Sequence, residues 1–213
     1  MKKTDDKERK LTKAEQKRQE KFNIVRDSFI EQGYEMKEHT LGIVYANLMA
    51  IIIAVPFMIP AILLFAFLAD GSFSFMMSTT QLVLFIVCNV LLIVFHEAVH
   101  GITWACFAKS HFKSISFGIM AEMCTPYCTC SEPLKKRQYI TGCLMPLFVV
   151  GYIPSIIAAL TSQYWLLLVG LIMIMGAGGD IIITFRMLRY KTDKNEVVVY
   201  DHPTKCGFIT FER

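Results

Sequence analysis

Residues 81–108 read QLVLFIVCNVLLIVFHEAVHGITWACFA. A helix rises about 1.5 Å per residue, so roughly 20 apolar residues cross a hydrocarbon layer of about 30 Å, and this run is longer than that. Its apolar course is broken chiefly at His96-Glu97-Ala98-Val99-His100. Ionisable side chains inside an apolar span are costly to place and mark function rather than packing.

Working outward, three more long apolar runs appear, and with the first they give spans of about 41–69, 81–108, 139–160 and 164–188. The chain is 213 residues long and 54 % hydrophobic, which departs from ordinary soluble composition. The fold class expected is therefore mainly α: a polytopic membrane protein with four transmembrane helices and small cytoplasmic β segments. The net charge of +4 does not point to a nucleic-acid partner, because all 22 Lys and Arg residues fall before the first run, between the second and third, or from Arg186 onward. The loops 70–80 and 161–163 hold none. This is the positive-inside pattern, and it predicts a multi-pass protein of the cell membrane, in contact with the lipid bilayer, with both termini cytoplasmic.

The predicted organisation is a cytoplasmic amphipathic N-terminal helix over 1–40, a four-helix membrane domain over 41–190, and a cytoplasmic β-hairpin-like tail over 191–213. Thr12 to Glu15 reads as a capping box, with Phe22, Val25 and Phe29 recurring on one helical face that could orient the protein at the membrane. About forty mostly polar residues precede the first apolar run, so no cleavable signal peptide is expected. Seven cysteines, an odd number placed in spans or cytoplasmic loops, predict reduced thiols rather than a disulfide framework.

Residues four apart on a helix share a face, so His96 and His100 can aim imidazole nitrogens at one metal ion. Glu97, beside the first of them, can act as general base on a metal-activated water and pass the proton to a leaving amine. A third protein ligand is required, and Asp180 is the candidate: it is the acidic residue of the fourth span, preceded by Gly176-Ala177-Gly178-Gly179, where small residues permit close helix packing. Depth agrees. His96 lies fifteen residues past Gln81 and Asp180 sixteen past Tyr164, which puts both roughly 22 to 24 Å from the outer boundary. The alternative for Asp180 is a buried carboxylate paired with Arg186 or with a backbone group at a helix end. Two His and one carboxylate also suit iron, but the helix-borne Glu97 favours one Zn2+ per chain.

Weaker candidates surround this set. Cys124, Cys128 and Cys130 could bind zinc structurally, although no second pair of standard spacing exists. Glu122, His111 and His202 lie in cytoplasmic segments and could approach the site from below. Residues 113–130 (KSISFGIMAEMCTPYCTC) read as extended or hairpin structure, and Val197–Tyr200 and Phe208–Phe211 flank a turn. These strands offer a sheet edge on which an extended substrate could be held, or a small sheet that only covers the helices.

Several short stretches, namely Phe95 through Gly101, Thr125 through Leu134, Met145-Pro146, Gly178-Gly179-Asp180 and Asp201-His202-Pro203, resemble the bacterial integral-membrane family labelled "putative zincin peptidase". The resemblance runs from about Met36 to the end, and the family is distantly similar to the site-2 proteases. It implies an intramembrane or juxtamembrane zinc metallopeptidase with His96, His100 and Asp180 as ligands and Glu97 as general base; the leading expectation is hydrolysis of a peptide bond in a membrane-associated protein or peptide. Site-2 proteases usually carry Leu-Asp-Gly or an Asn-Pro stretch around the third ligand, whereas Asp180 follows glycines. Two other functions fit the same residues: a zinc-binding sensor, scaffold or accessory subunit without proteolytic activity, and a metal-ion transporter, which has no evident use for Glu97.

Overall fold

The computed structural model describes residues 11–71, 74, 76–120 and 125–213. The chain is mainly helical, with small antiparallel sheets at one end of a helix bundle. Helix α1 (Lys13–Glu31) opens with the capping box expected at Thr12 and Glu15. Strand β1 (Glu35–Thr40) follows, so the helical reading of 1–40 stops short. The alternation of EMKEHT is short and mostly polar, and its partner, β6, lies some 170 residues away.

Among the described residues, three helical stretches are long and apolar enough to cross a membrane: Val44–Leu68 within α2 (Ile43–Leu68), α3 (Thr79–Phe107), and the composite Lys136–Thr161. The last is not the plain helix expected. It comprises α4 (Lys136–Pro146), a π-helical segment Leu147–Tyr152, and α5 (Ile153–Thr161). Pro146 and Pro154 each lack the N–H that continues a regular ladder, which accounts for the irregular passage between them. The fourth apolar run is also broken. Helices α6 (Tyr164–Gly176) and α7 (Gly178–Arg189) meet at 42° and together bring the number of candidate spans to four.

The outer faces of α2 and α3 carry apolar side chains in the open, Ile52, Leu63, Phe67, Leu91 and Val94 among them. Their most apolar windows are only 17 % and 11 % buried within the chain. An exterior of this kind suits hydrocarbon and not water. The bundle interior is apolar as well: Ala61, Phe65, Leu147, Ala158, Leu171 and Ile174 join α2 to α5, α6 and the π-helical segment.

At one end of the bundle β1, β6 (Gly207–Glu212), β5 (Val197–Asp201) and the two-residue β4 (Leu134–Lys135) form one sheet in that order. The hairpin β2 (Ile115–Met120) and β3 (Thr125–Cys130) forms a second. The strands anticipated at 197–200 and 208–211 are present, but they are not a free edge: β6 lies between β1 and β5, and β5 pairs with β4 through Val198 and Val199. The apolar face of α1 is likewise occupied. Phe22, Val25 and Phe29 pack on Tyr200, Ile209 and Phe211 of the sheet, so burial against β5 and β6, not insertion at a bilayer, uses that face.

Candidate metal centre

His96 and His100 stand one turn apart on α3, and their Nε2 atoms lie 3.2 Å from each other. Asp180 reaches them from the first turn of α7: Oδ2 is 3.2 Å from His96 Nε2 and Oδ1 is 3.3 Å from His100 Nε2. All three side chains are largely enclosed, with 11 %, 5 % and 23 % of their surfaces exposed for His96, His100 and Asp180. The partial positive charge of the α7 N-terminus also favours a carboxylate there. The bend before α7 makes this possible. Gly178 presses against the Ala50 carbonyl of α2, where a Cβ would collide, so α7 sits closer to the bundle axis than any larger residue would allow.

The orientation of His100 is fixed by a contact that sequence reading missed. Its Nδ1 donates to the carbonyl of Gly142 on α4 at 2.8 Å. In a regular helix that carbonyl would accept from the N–H of residue 146, but residue 146 is proline and has none. Pro146 therefore leaves a carbonyl open, and His100 takes it. A proline four residues after a glycine in an apolar run was the available signal. Trp104 completes the support: its indole stacks on the His100 ring at 5.1 Å and on Tyr139 at 5.3 Å, and Nε1 donates to the Tyr139 carbonyl at 3.2 Å. Gly142 leaves room for that indole, since a Cβ there would overlap it.

The donor set fits a zinc ion. Ligands about 2.0–2.2 Å from a tetrahedral zinc stand roughly 3.3 Å apart; the two Nε2 atoms here are 3.2 Å apart, and each meets a different oxygen of Asp180, at 3.2 and 3.3 Å. The fit also has a chemical side. With Nδ1 of His100 given to Gly142, the neutral ring presents the lone pair of Nε2 to His96 and to a carboxylate oxygen, an arrangement that a shared cation relieves. His96, His100 and Asp180 are the one group of potential ligands among the described residues whose donor atoms converge, all within 4.8 Å. Glu97 is half-buried and outside that group, and its carboxylate lies beside the backbone N–H of Cys128 on β3.

The remaining candidates are engaged elsewhere. Arg186 donates to the Thr40 carbonyl, so it is not the partner considered for Asp180. His111 bonds the Ala105 carbonyl at 3.0 Å. His202 accepts from the N–H groups of Thr204 and Lys205 within the β5–β6 turn and faces Glu38 at 3.7 Å. Cys128 and Cys130 are buried free thiols, and burial pushes Cys130 up to about 11 and Cys128 higher still, so neither offers a thiolate at neutral pH. Glu122 and Cys124 lie outside the described residues.

A family model described as "Putative zincin peptidase" covers residues 89–194, a stretch that contains His96, Glu97, His100, Gly142, Pro146 and Asp180. It is shorter at both ends than the resemblance expected from Met36 onward. No curated protein and no solved structure matches the chain.

Proposed function

The chain belongs to the putative zincin peptidase family, and from that membership we propose that it is a membrane-embedded zinc metallopeptidase whose ligands are His96, His100 and Asp180. The observation that carries the reading is the convergence of these three side chains at tetrahedral-edge spacing, with the non-ligand Glu97 next in sequence to the first.

When bound, zinc supplies a Lewis acid that polarises a peptide carbonyl and brings the pKa of water toward about 7. The chain's own residues do the rest. Glu97 takes a proton from the attacking water and returns it to the amine as the C–N bond breaks, so each peptide bond consumes one water and the carboxylate is regenerated. The Cys128 N–H lies beside that carboxylate, and the Gly142 carbonyl and Trp104 hold His100. A site enclosed among apolar helices points to a substrate that reaches it from the membrane, a membrane-associated protein or peptide.

The sheet supports the reading of four crossings. Strand β4 lies between the second and third apolar stretches yet pairs with β5, which comes after the fourth, and β1 precedes them all yet pairs with β6. Pairing requires these strands on one side, which favours the bent pair α6–α7 as a single crossing over a re-entrant loop. The placement of Lys and Arg supports the cytoplasm as that side.

The test is hydrolysis of casein and of a quenched fluorescent peptide by detergent-purified protein, with Glu97→Gln as the matched control. Cleavage that is abolished by a chelator, restored by zinc and reduced at least a hundredfold in Glu97→Gln is expected. Zinc binding with the same turnover in both proteins, or with cleavage in neither of them on any membrane substrate, would transfer the site to a non-proteolytic zinc-binding role.

A further inference from the structure

We propose that Asp201 is a positioning residue for this site: its carboxylate fastens together the strand that holds Glu97 and the helix that holds His100. Its catalytic consequence rests on the peptidase reading above, while the ties themselves are contacts within the chain.

Asp201 ends β5, beyond the stretch matched by the family model. One carboxylate oxygen accepts the N–H of Cys130 at 2.9 Å and the other accepts the hydroxyl of Tyr139. Both partners are neutral, and among the described residues Asp201 has no cation bonded to it. Two residues before Cys130 on β3 is the N–H of Cys128, which lies beside the Glu97 carboxylate. Three residues beyond Tyr139 on α4 is the carbonyl of Gly142, the acceptor for His100. The ring of Tyr139 also stacks on Trp104, which stacks on His100. One side chain from the C-terminal hairpin thus sets β3 and α4 against each other at the level where they support the two site residues.

A buried carboxylate bonded only to neutral donors is a costly fastener. Burial outweighs those hydrogen bonds and pushes Asp201 up to about 6. An apolar contact would join a strand to a helix at less cost but would not fix their register, which two directional bonds do. Such departures from the most stable choice concentrate where function sets the requirement.

The experiment compares the full chain with Asp201→Ala, Tyr139→Phe and Asp201→Asn, purified in detergent. Asp201→Ala removes both ties. Tyr139→Phe removes one hydroxyl and keeps the stack, so it decides the matter if Asp201→Ala fails to fold. Asp201→Asn can accept from Cys130 and donate to the Tyr139 oxygen, and so rescues both. Hydrogen exchange of the metal-free proteins is expected to quicken in β3 and the first turns of α4 for Asp201→Ala and Tyr139→Phe. Their zinc affinity should fall about ten- to a hundredfold, with an altered visible band when Co2+ replaces zinc, and Asp201→Asn should resemble wild type. A merely structural role would lower the melting temperature and leave the Co2+ band and zinc affinity of the folded protein unchanged, which would overturn the proposal. Should wild type take up no zinc, the peptidase reading falls, and the exchange arm still decides the ties: unchanged exchange at β3 and α4 in Tyr139→Phe refutes them.

Discussion

Pro146 acts four residues away from itself. By withholding an N–H it leaves the Gly142 carbonyl to His100, which then presents Nε2 toward Asp180. In Pro146→Ala the helix regains that N–H, and the carbonyl must be shared between it and the imidazole. Zinc affinity should fall about tenfold while the fold holds or is slightly stabilised, as isothermal titration alongside a thermal melt would show. Unchanged affinity would mean that the second lone pair of the carbonyl serves both donors. At this scale the sequence was legible where chemistry sits in side chains at fixed spacing, as for His96, Glu97 and His100. It was not legible where a backbone group does the holding, as at Gly142 and Cys128, because any residue type carries the same amide.

At the scale of elements, the site depends on how closely α7 approaches α2. Gly178 lies against the Ala50 carbonyl, whereas a Cβ on the adjacent Gly179 meets open space. Gly178→Ala should displace α7 and carry Asp180 away from the histidines, with a loss of zinc affinity of at least tenfold, while Gly179→Ala should bind zinc as wild type does. Equal affinities in the two variants would show that α7 accommodates the methyl without moving its first turn.

The four-stranded sheet has its own signature. Burial alone would raise Glu212, but hydrogen bonds from Tyr190, Lys37, Thr192 and Thr210 outweigh it and bring the carboxyl from 4.5 down to about 2. A depressed folded-state value stabilises the fold fully above the unfolded value, so this contribution is present above pH 4.5 and is lost as pH falls through about 2. Melting temperature should decline across that window in wild type, and Glu212→Gln should lack that part of the decline. The strand β1 that helps to enclose Glu212 had no hydrophobic alternation to announce it, whereas β5 and β6 did through their Val, Ile and Phe content. Their position inside the sheet was beyond sequence reading, because edge or interior is decided by distant partners.

Across the whole molecule, the apolar runs were legible because length and composition decide whether a helix can cross hydrocarbon, and the matching depths of His96 and Asp180 followed from counting residues along two such runs. The π-helical passage and the bend at Ala177 were not, since they depend on which helix packs against which. The architecture gathers His96, His100 and Asp180 among helices with apolar exteriors, with the small sheets at one end of the bundle. Its central claim is that His96, His100 and Asp180 together hold one zinc ion. The most direct measurement is elemental analysis of detergent-purified protein, comparing wild type with His96→Ala, Asp180→Ala and Glu97→Gln. The account predicts about one zinc per chain in wild type and in Glu97→Gln, and none in the other two. Carefully purified wild type without metal, or full zinc retained in Asp180→Ala, would contradict it.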